Sequence, residues 1–155
     1  MKQLELRRHA PRDPRVDALS PAGRTMAQAL GEAARGITYA AVFVSPATRA
    51  AETAAWFLRG AGLQLPTHEI VPGLGGADAT GGAPDGMAAG VRALLDRLPE
   101  GGRGLAISHT PLVERAAEGL GGEVAPMAEC EGILVTLHDD GVIEIEELRQ
   151  GTTQR

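Results

Sequence analysis

A chain of 155 residues and 16.1 kDa, 43% hydrophobic and 23% charged, can build one ordinary core but not two, so a single domain over residues 1–150 with a frayed tail at 151–155 is expected. A net charge of -5 offers no basic field for nucleic acid, and 3% aromatic residues argue against a base-stacking surface. No stretch approaches the roughly 20 apolar residues of a membrane helix. The lone Cys130 excludes an intramolecular disulfide, and Met1 to Glu5 lacks the apolar run of a signal peptide, so a cytoplasmic protein is expected.

The first strand is expected over Gln3–Leu6, followed by a polar loop from Arg7 to Pro11, where proline ends regular pairing. Ser20-Pro21 gives a capping residue with proline at the first helical position, and the run to Ala34 before Gly36 reads as a helix. Ala41 to Val44 is an apolar strand. Ser45-Pro46 repeats the capping signal ahead of a helix over Thr48 to Arg59, closed by Gly60 and Gly62. A short strand at Thr67 to Val71 leads into the glycine-crowded segment Gly73 to Gly86, expected to be an adaptable loop. Asp85 is positioned to cap a helix running to Leu98, with Met87, Val91, Leu94, Leu95 and Leu98 on one face. Gly104 to Ile107 is a further strand, and Ser108-His109-Thr110-Pro111 enters a helix ending near Leu120. Gly132 to Leu137 and Val142 to Leu148 flank an Asp140-Gly141 turn and read as a hairpin. The alternation implies an α/β fold: a three-layer α/β/α sandwich with a mostly parallel sheet and an antiparallel edge strand.

Ligands of such sheets bind beyond the carboxyl ends of the strands. Three of those exits are chemically loaded: Arg8 and His9 after the first strand, Ser45 with Arg49 after the second, Ser108 and His109 after the fourth. Singly, each has an ordinary explanation, as a solvated charge, a loop histidine or a polar residue near a helix cap. Together, two guanidiniums, two imidazoles and nearby helix N-termini describe a phosphate pocket. His68 and His138 have no matching partners and are read as structural.

The stretches Leu4-Glu5-Leu6-Arg7-Arg8-His9-Ala10, Leu19-Ser20-Pro21-Ala22-Gly23-Arg24, Ser45-Pro46-Ala47-Thr48-Arg49-Ala50-Ala51-Glu52-Thr53-Ala54 and Ile107-Ser108-His109-Thr110-Pro111-Leu112-Val113, in that order, resemble the histidine phosphatases of the phosphoglycerate-mutase-like superfamily. The small phosphohistidine phosphatase branch, little more than this core, is the nearest likeness. The resemblance implies that His9 is a nucleophile that accepts phosphate as a covalent phosphohistidine, with Arg8, Arg49 and His109 around the phosphoryl oxygens. An imidazole attacks only as the neutral form, so His9 should be neutral, while His109 can carry a proton when substrate is bound. Ser45 and Ser108 are expected to contribute to substrate binding. Preorganised cations can stabilise the transition state, so neither a metal nor another cofactor is expected.

One departure from the pattern matters. Many members carry an acid after the strand that follows the Ser-Pro-x-x-Arg helix, and that position here is Gly73, within Val71-Pro72-Gly73-Leu74. Asp78 is the nearest carboxylate and the candidate general acid, with Asp85 and Glu52 as alternatives. A phosphohistidine substrate needs such an acid less than an alkyl ester does, because imidazole is a better leaving group than an alkoxide. The expected function is a metal-independent phosphatase, with phosphohistidine in protein as a candidate substrate. The alternatives are a phosphatase of a small sugar or nucleoside phosphate and a non-catalytic phosphate-binding module. The expected partner is a phosphorylated protein or small phosphate ester; oligomeric state is left open.

Overall fold

The computed structural model describes residues 1–63 and 67–150. The tail expected at 151–155 lies outside them. Six strands, β1 (Lys2–Arg8), β2 (Ala41–Val44), β3 (Glu69–Ile70), β4 (Arg103–Ser108), β5 (Gly132–Leu137) and β6 (Ile143–Leu148), form one sheet in the order β3-β2-β4-β1-β5-β6. Pairing is parallel from β3 through β2 and β4 to β1, then antiparallel from β1 to β5 and from β5 to β6. The antiparallel part is thus the whole hairpin rather than one edge strand, because the Asp140-Gly141 turn sends β6 back beside β5. Gly141 adopts φ 88°, which such a turn demands.

Helices α1 (Pro21–Ala33) and α2 (Thr48–Gly60) pack together over one face, and α3 (Pro84–Asp96) and α4 (Leu112–Gly119) over the other. The strand alternation sorts side chains between them: Leu4 and Leu6 of β1 join Val91, Leu95 and Val113, whereas Leu105 and Ile107 of β4 join Phe57 and Leu58. The apolar face read for α3 is buried along its length. Where α1 meets α2, Gly31 and Gly60 let the backbones touch: a Cβ on Gly31 would lie 1.8 Å from Phe57 O, and one on Gly60 2.0 Å from Gln28 O. Among the described residues no helix is long and apolar enough to cross a membrane.

Several local expectations are corrected. Strand β1 runs on through Arg7 and Arg8, which pair with Ile107 and Ser108 of β4. Arg7 is therefore not part of a solvated loop; it is buried against Glu5, and the Glu5 carboxylate also accepts from Arg103 and from Tyr39 Oη at 2.7 Å. Ser20 caps α1 as read, accepting from the Gly23 N–H at 3.0 Å. Ser45 does not cap α2, whose N-cap is Ala47, and Asp85 does not cap α3, whose N-cap is Ala83. In α3, Pro84 occupies a first-turn position whose missing N–H needs no acceptor. The glycine-rich segment is more ordered than its composition suggests. Pro72–Gly75 forms a 3-10 turn that buries Leu74, and Asp78 organises the turn after it.

Candidate active site

His9 lies immediately past the end of β1, where its backbone is held from three sides. Its N–H donates to Ser108 O at 3.0 Å, the next N–H, of Ala10, donates to Thr53 Oγ1 at 3.0 Å, and Cys130 N–H donates to the Arg8 and His9 carbonyls at 3.2 Å. His9 is 7% exposed. Its Nδ1 sits 2.7 Å from Ala10 O, an acceptor only, so Nδ1 carries the hydrogen and Nε2 carries the lone pair. Burial pushes the ring below its ordinary pKa; the Ala10 carbonyl opposes this, while the Arg49, Arg8 and Arg12 charges reinforce it. His9 is therefore neutral at physiological pH.

Arg49, one residue into α2, lies between the two histidines. Its Nε donates to His9 Nε2 at 3.3 Å and its Nη2 to His109 Nδ1 at 3.3 Å. Because a guanidinium only donates, His109 Nδ1 must accept, and Nε2–H of that ring then donates to Ser45 Oγ at 2.6 Å. The two rings meet edge-on with centroids 5.2 Å apart. Burial and the adjacent Arg49 push His109 down to about 4, so it is neutral in the free site, and any proton it holds must come with the charge of a bound anion. Both guanidinium–imidazole contacts are long and end on neutral nitrogens, which makes them easy to exchange for phosphoryl oxygens.

A cleft of about 490 Å³ opens beside Arg49 and His109, with His9 behind Arg49 and outside its lining. Ser45, Arg49 and His109 form its charged and polar end, while Gly76, Thr110 and Leu112 belong to the rest; Arg49 and His109 are the ionisable groups of the described lining. The histidines, Arg49 and Ser45 are thus brought together as the strand exits imply. Arg8 stands at one side: its Nη1 donates to Met127 O at 2.9 Å and pairs with Glu129 at 3.4 Å, and its charge lowers both imidazole pKa values. Ser108 is not brought to the cleft. It is fully buried and its hydroxyl donates to Leu74 O at 2.6 Å, tying the end of β4 to the 3-10 turn.

None of the three carboxylates considered as acids lines the cleft. Asp78 Oδ1 accepts from Thr80 N at 2.8 Å, from Thr80 Oγ1 at 2.6 Å and from Gly82 N at 3.2 Å. These bonds hold it below the usual carboxylate range, as a turn-forming anion rather than a proton donor. Glu52 accepts from Leu19 N at 3.2 Å, and Asp85 stays in the first turn of α3. A carboxylate that the sequence reading missed does reach the cluster. Asp17, on the loop between β1 and α1, accepts from Thr48 N at 2.8 Å, Arg49 N at 3.2 Å and Arg49 Nη1 at 2.9 Å. The signal available was indirect: α2 begins at Ala47 without a cap of its own.

A family model described as "Histidine phosphatase superfamily (branch 1)" matches residues 5–79, the segment that carries His9, Ser45 and Arg49. The protein histidine phosphatase SixA, solved with tungstate, superposes with a TM-score of 0.74 at 28% identity, covering 95% of this chain and 96% of that one. The chain is thus similar to the histidine phosphatase superfamily, in sequence over residues 5–79 and in fold over nearly its whole length. These likenesses support a phosphatase hydrolase. Solved structures of lower identity share the fold: a phosphoglycerate mutase from Bacillus anthracis str. Sterne (TM-score 0.76, 15% identity, 94% of this chain and 91% of that one) and a phosphoserine phosphatase from Entamoeba histolytica (0.72, 15%, 97% and 98%). No curated protein sequence matches the chain. His9, Arg49 and His109 follow the strand ends at which the sequence placed them, and Gly73, where an acid was expected from the resemblance, lies in the 3-10 turn.

Proposed function

We propose that this protein hydrolyses phosphoryl groups through a covalent phosphohistidine on His9, without a metal, and that its substrates carry a leaving group that departs without a strong acid, phosphohistidine in protein foremost. The observation that carries the reading is the 2.7 Å contact of His9 Nδ1 with Ala10 O, which points the Nε2 lone pair at Arg49. In the first step Nε2 forms a bond to phosphorus as the bond to the leaving group breaks, and that group departs with the electron pair. Arg49 exchanges its imidazole contacts for phosphoryl oxygens, His109 donates a hydrogen bond to them, and Arg8 adds positive potential. In the second step water attacks the phosphohistidine, the phosphorus–nitrogen bond breaks, and phosphate leaves as His9 regains its lone pair.

The substrate class rests on the cleft lining, where Arg49 and His109 are the ionisable groups among the described residues. An alkoxide would leave such a site as a strong base, whereas a phosphohistidine already protonated on its distal nitrogen leaves as neutral imidazole. The tungstate held by SixA is a tetrahedral oxyanion, the shape such a pocket would take.

The test is hydrolysis of an aryl phosphate, a phosphohistidine peptide and an alkyl phosphate, with chelator present, by the wild type and His9→Ala. Turnover of the first two, little of the third, and none in the folded His9→Ala variant are expected. An acid-labile phosphoryl group trapped on His9 completes the assignment. Full activity in His9→Ala refutes the nucleophile, and equal rates across the panel refute the leaving-group reading.

A further inference from the structure

The geometry points to Asp17 as a positioning residue for this site, an anchor that holds one edge of the Arg49 guanidinium while the other edges turn from the histidines to a phosphoryl group. The inference rests on the proposed phosphate site but not on which histidine is the nucleophile. Asp17 lies on the loop after β1, and its carboxylate takes both the Thr48 and Arg49 N–H groups at the start of α2 and the Arg49 side chain itself. Backbone and side chain of Arg49 are therefore gripped by one carboxylate group, and the grip fixes the guanidinium plane relative to the helix from which it projects. Arg49 makes its other contacts at 3.3 Å to neutral nitrogens, while the Asp17 contact at 2.9 Å joins opposite charges. A bound phosphoryl oxygen displaces the weaker pair first and leaves the stronger one in place.

The same contacts decide what Asp17 does not do. Burial opposes its ionisation, but the hydrogen bonds from the Arg49 side chain and the Thr48 and Arg49 amides outweigh it and hold the carboxyl below its usual range. With its oxygens engaged as acceptors, Asp17 does not supply the acid absent at Gly73. Its charge also reaches His109, where it opposes the lowering by Arg49, His9 and Arg8.

Binding of inorganic phosphate by titration calorimetry, and the split between kcat and KM on an aryl phosphate, test this with Asp17→Asn and Asp17→Ala. Asn keeps a carbonyl oxygen for the Thr48 amide and loses the charge that holds Arg49. Both variants are expected to bind phosphate and substrate about tenfold or more weakly, the size of a lost charge-assisted hydrogen bond, with kcat changed less than KM. In both, the His109 proton-titration midpoint followed by NMR should fall, because a negative charge that opposes its lowering is lost. If Asp17 merely caps α2, Asn restores wild-type phosphate binding and KM, which overturns the inference. Tighter phosphate binding in either variant also overturns it, because Asp17 would then compete with the ligand for Arg49. Should Asp17→Ala fail to fold, Asp17→Asn decides alone. Phosphate binding does not depend on phosphoenzyme formation, so a failure of the His9 assignment is read separately.

Discussion

Arginine meets a carboxylate at two places in this protein, inside the sheet at Glu5 and past its strand ends at Asp17, and the two do opposite things. Under α1 and α2, Glu5 is fully buried and its oxygens take Arg7, Arg103 and the Tyr39 hydroxyl. Burial works against that carboxylate, yet the two guanidiniums outweigh it and keep its pKa lowered. At the carboxyl end of the same sheet, Asp17 holds Arg49 by one edge only, and the remaining edges rest on imidazole nitrogens beside an open cleft. Saturated partners make a strut; exchangeable partners make a binding site. The distinction lies in what each guanidinium touches, since residue types alone are nearly the same in both places.

The sharpest way to break the comparison is to remove one member from each cluster. Glu5→Ala removes the buried carboxylate that Arg7, Arg103 and Tyr39 share and is expected to cost about 3–5 kcal/mol in urea unfolding, while the molecules that remain folded keep their kcat/KM. Arg49→Ala is expected to do the reverse, lowering kcat/KM by about 10²–10³-fold with the unfolding midpoint nearly unchanged. If both variants lose activity and stability in equal measure, the two clusters are one unit and the contrast fails. A smaller effect, about 1–3 kcal/mol of destabilisation, is expected for Gly31→Ala, whose new methyl group meets the Phe57 carbonyl across the α1–α2 contact. Circular dichroism melts measure it.

Acid separates the clusters again. Glu5 has a lowered folded-state pKa, so its stabilisation is complete above the unfolded value of about 4.3 and is lost as pH falls through the folded value. Unfolding titrations of wild type and Glu5→Gln should therefore converge toward strongly acid pH. Activity should fail in a different window: with His9 lowered by burial, kcat/KM corrected for substrate ionisation should stay flat below the ordinary imidazole value of about 6.5. An acid limb centred at or above that value would contradict the geometry around His9. The smallest effect is expected for Asp78→Ala, where kcat/KM should remain within about twofold, since a loss of its turn contacts perturbs a surface loop.

His9, Ser45, Arg49 and His109 were legible because each follows a strand that composition and punctuation mark clearly, and the parallel sheet sends all those exits to one side. Ser108 was misread for a related reason. It is the last residue of β4 rather than the first of the loop, so alternation turns its hydroxyl inward to Leu74 O. The network at Glu5 went unread, although a strand inside a mostly parallel sheet is covered on both faces, so a charged residue there has to be paired. Its partners were not readable, because Arg103 and Tyr39 lie far along the chain. Asp17 was the hardest. It sits in a polar loop among Asp13, Arg12 and Arg15, and only the packing of that loop against the start of α2 singles it out.

At the two edges of the sheet, β3 offers a neighbour only the pair Glu69 and Ile70, while β6 exposes Glu144, Glu146 and Glu147. A second chain adding itself along β6 would find its backbone donors welcome but, if it were a copy of this one, its own glutamates opposed to these. The hairpin thus acts as a gatekeeper against strand-by-strand growth, a protection that comes from like charge along one edge rather than from covering it.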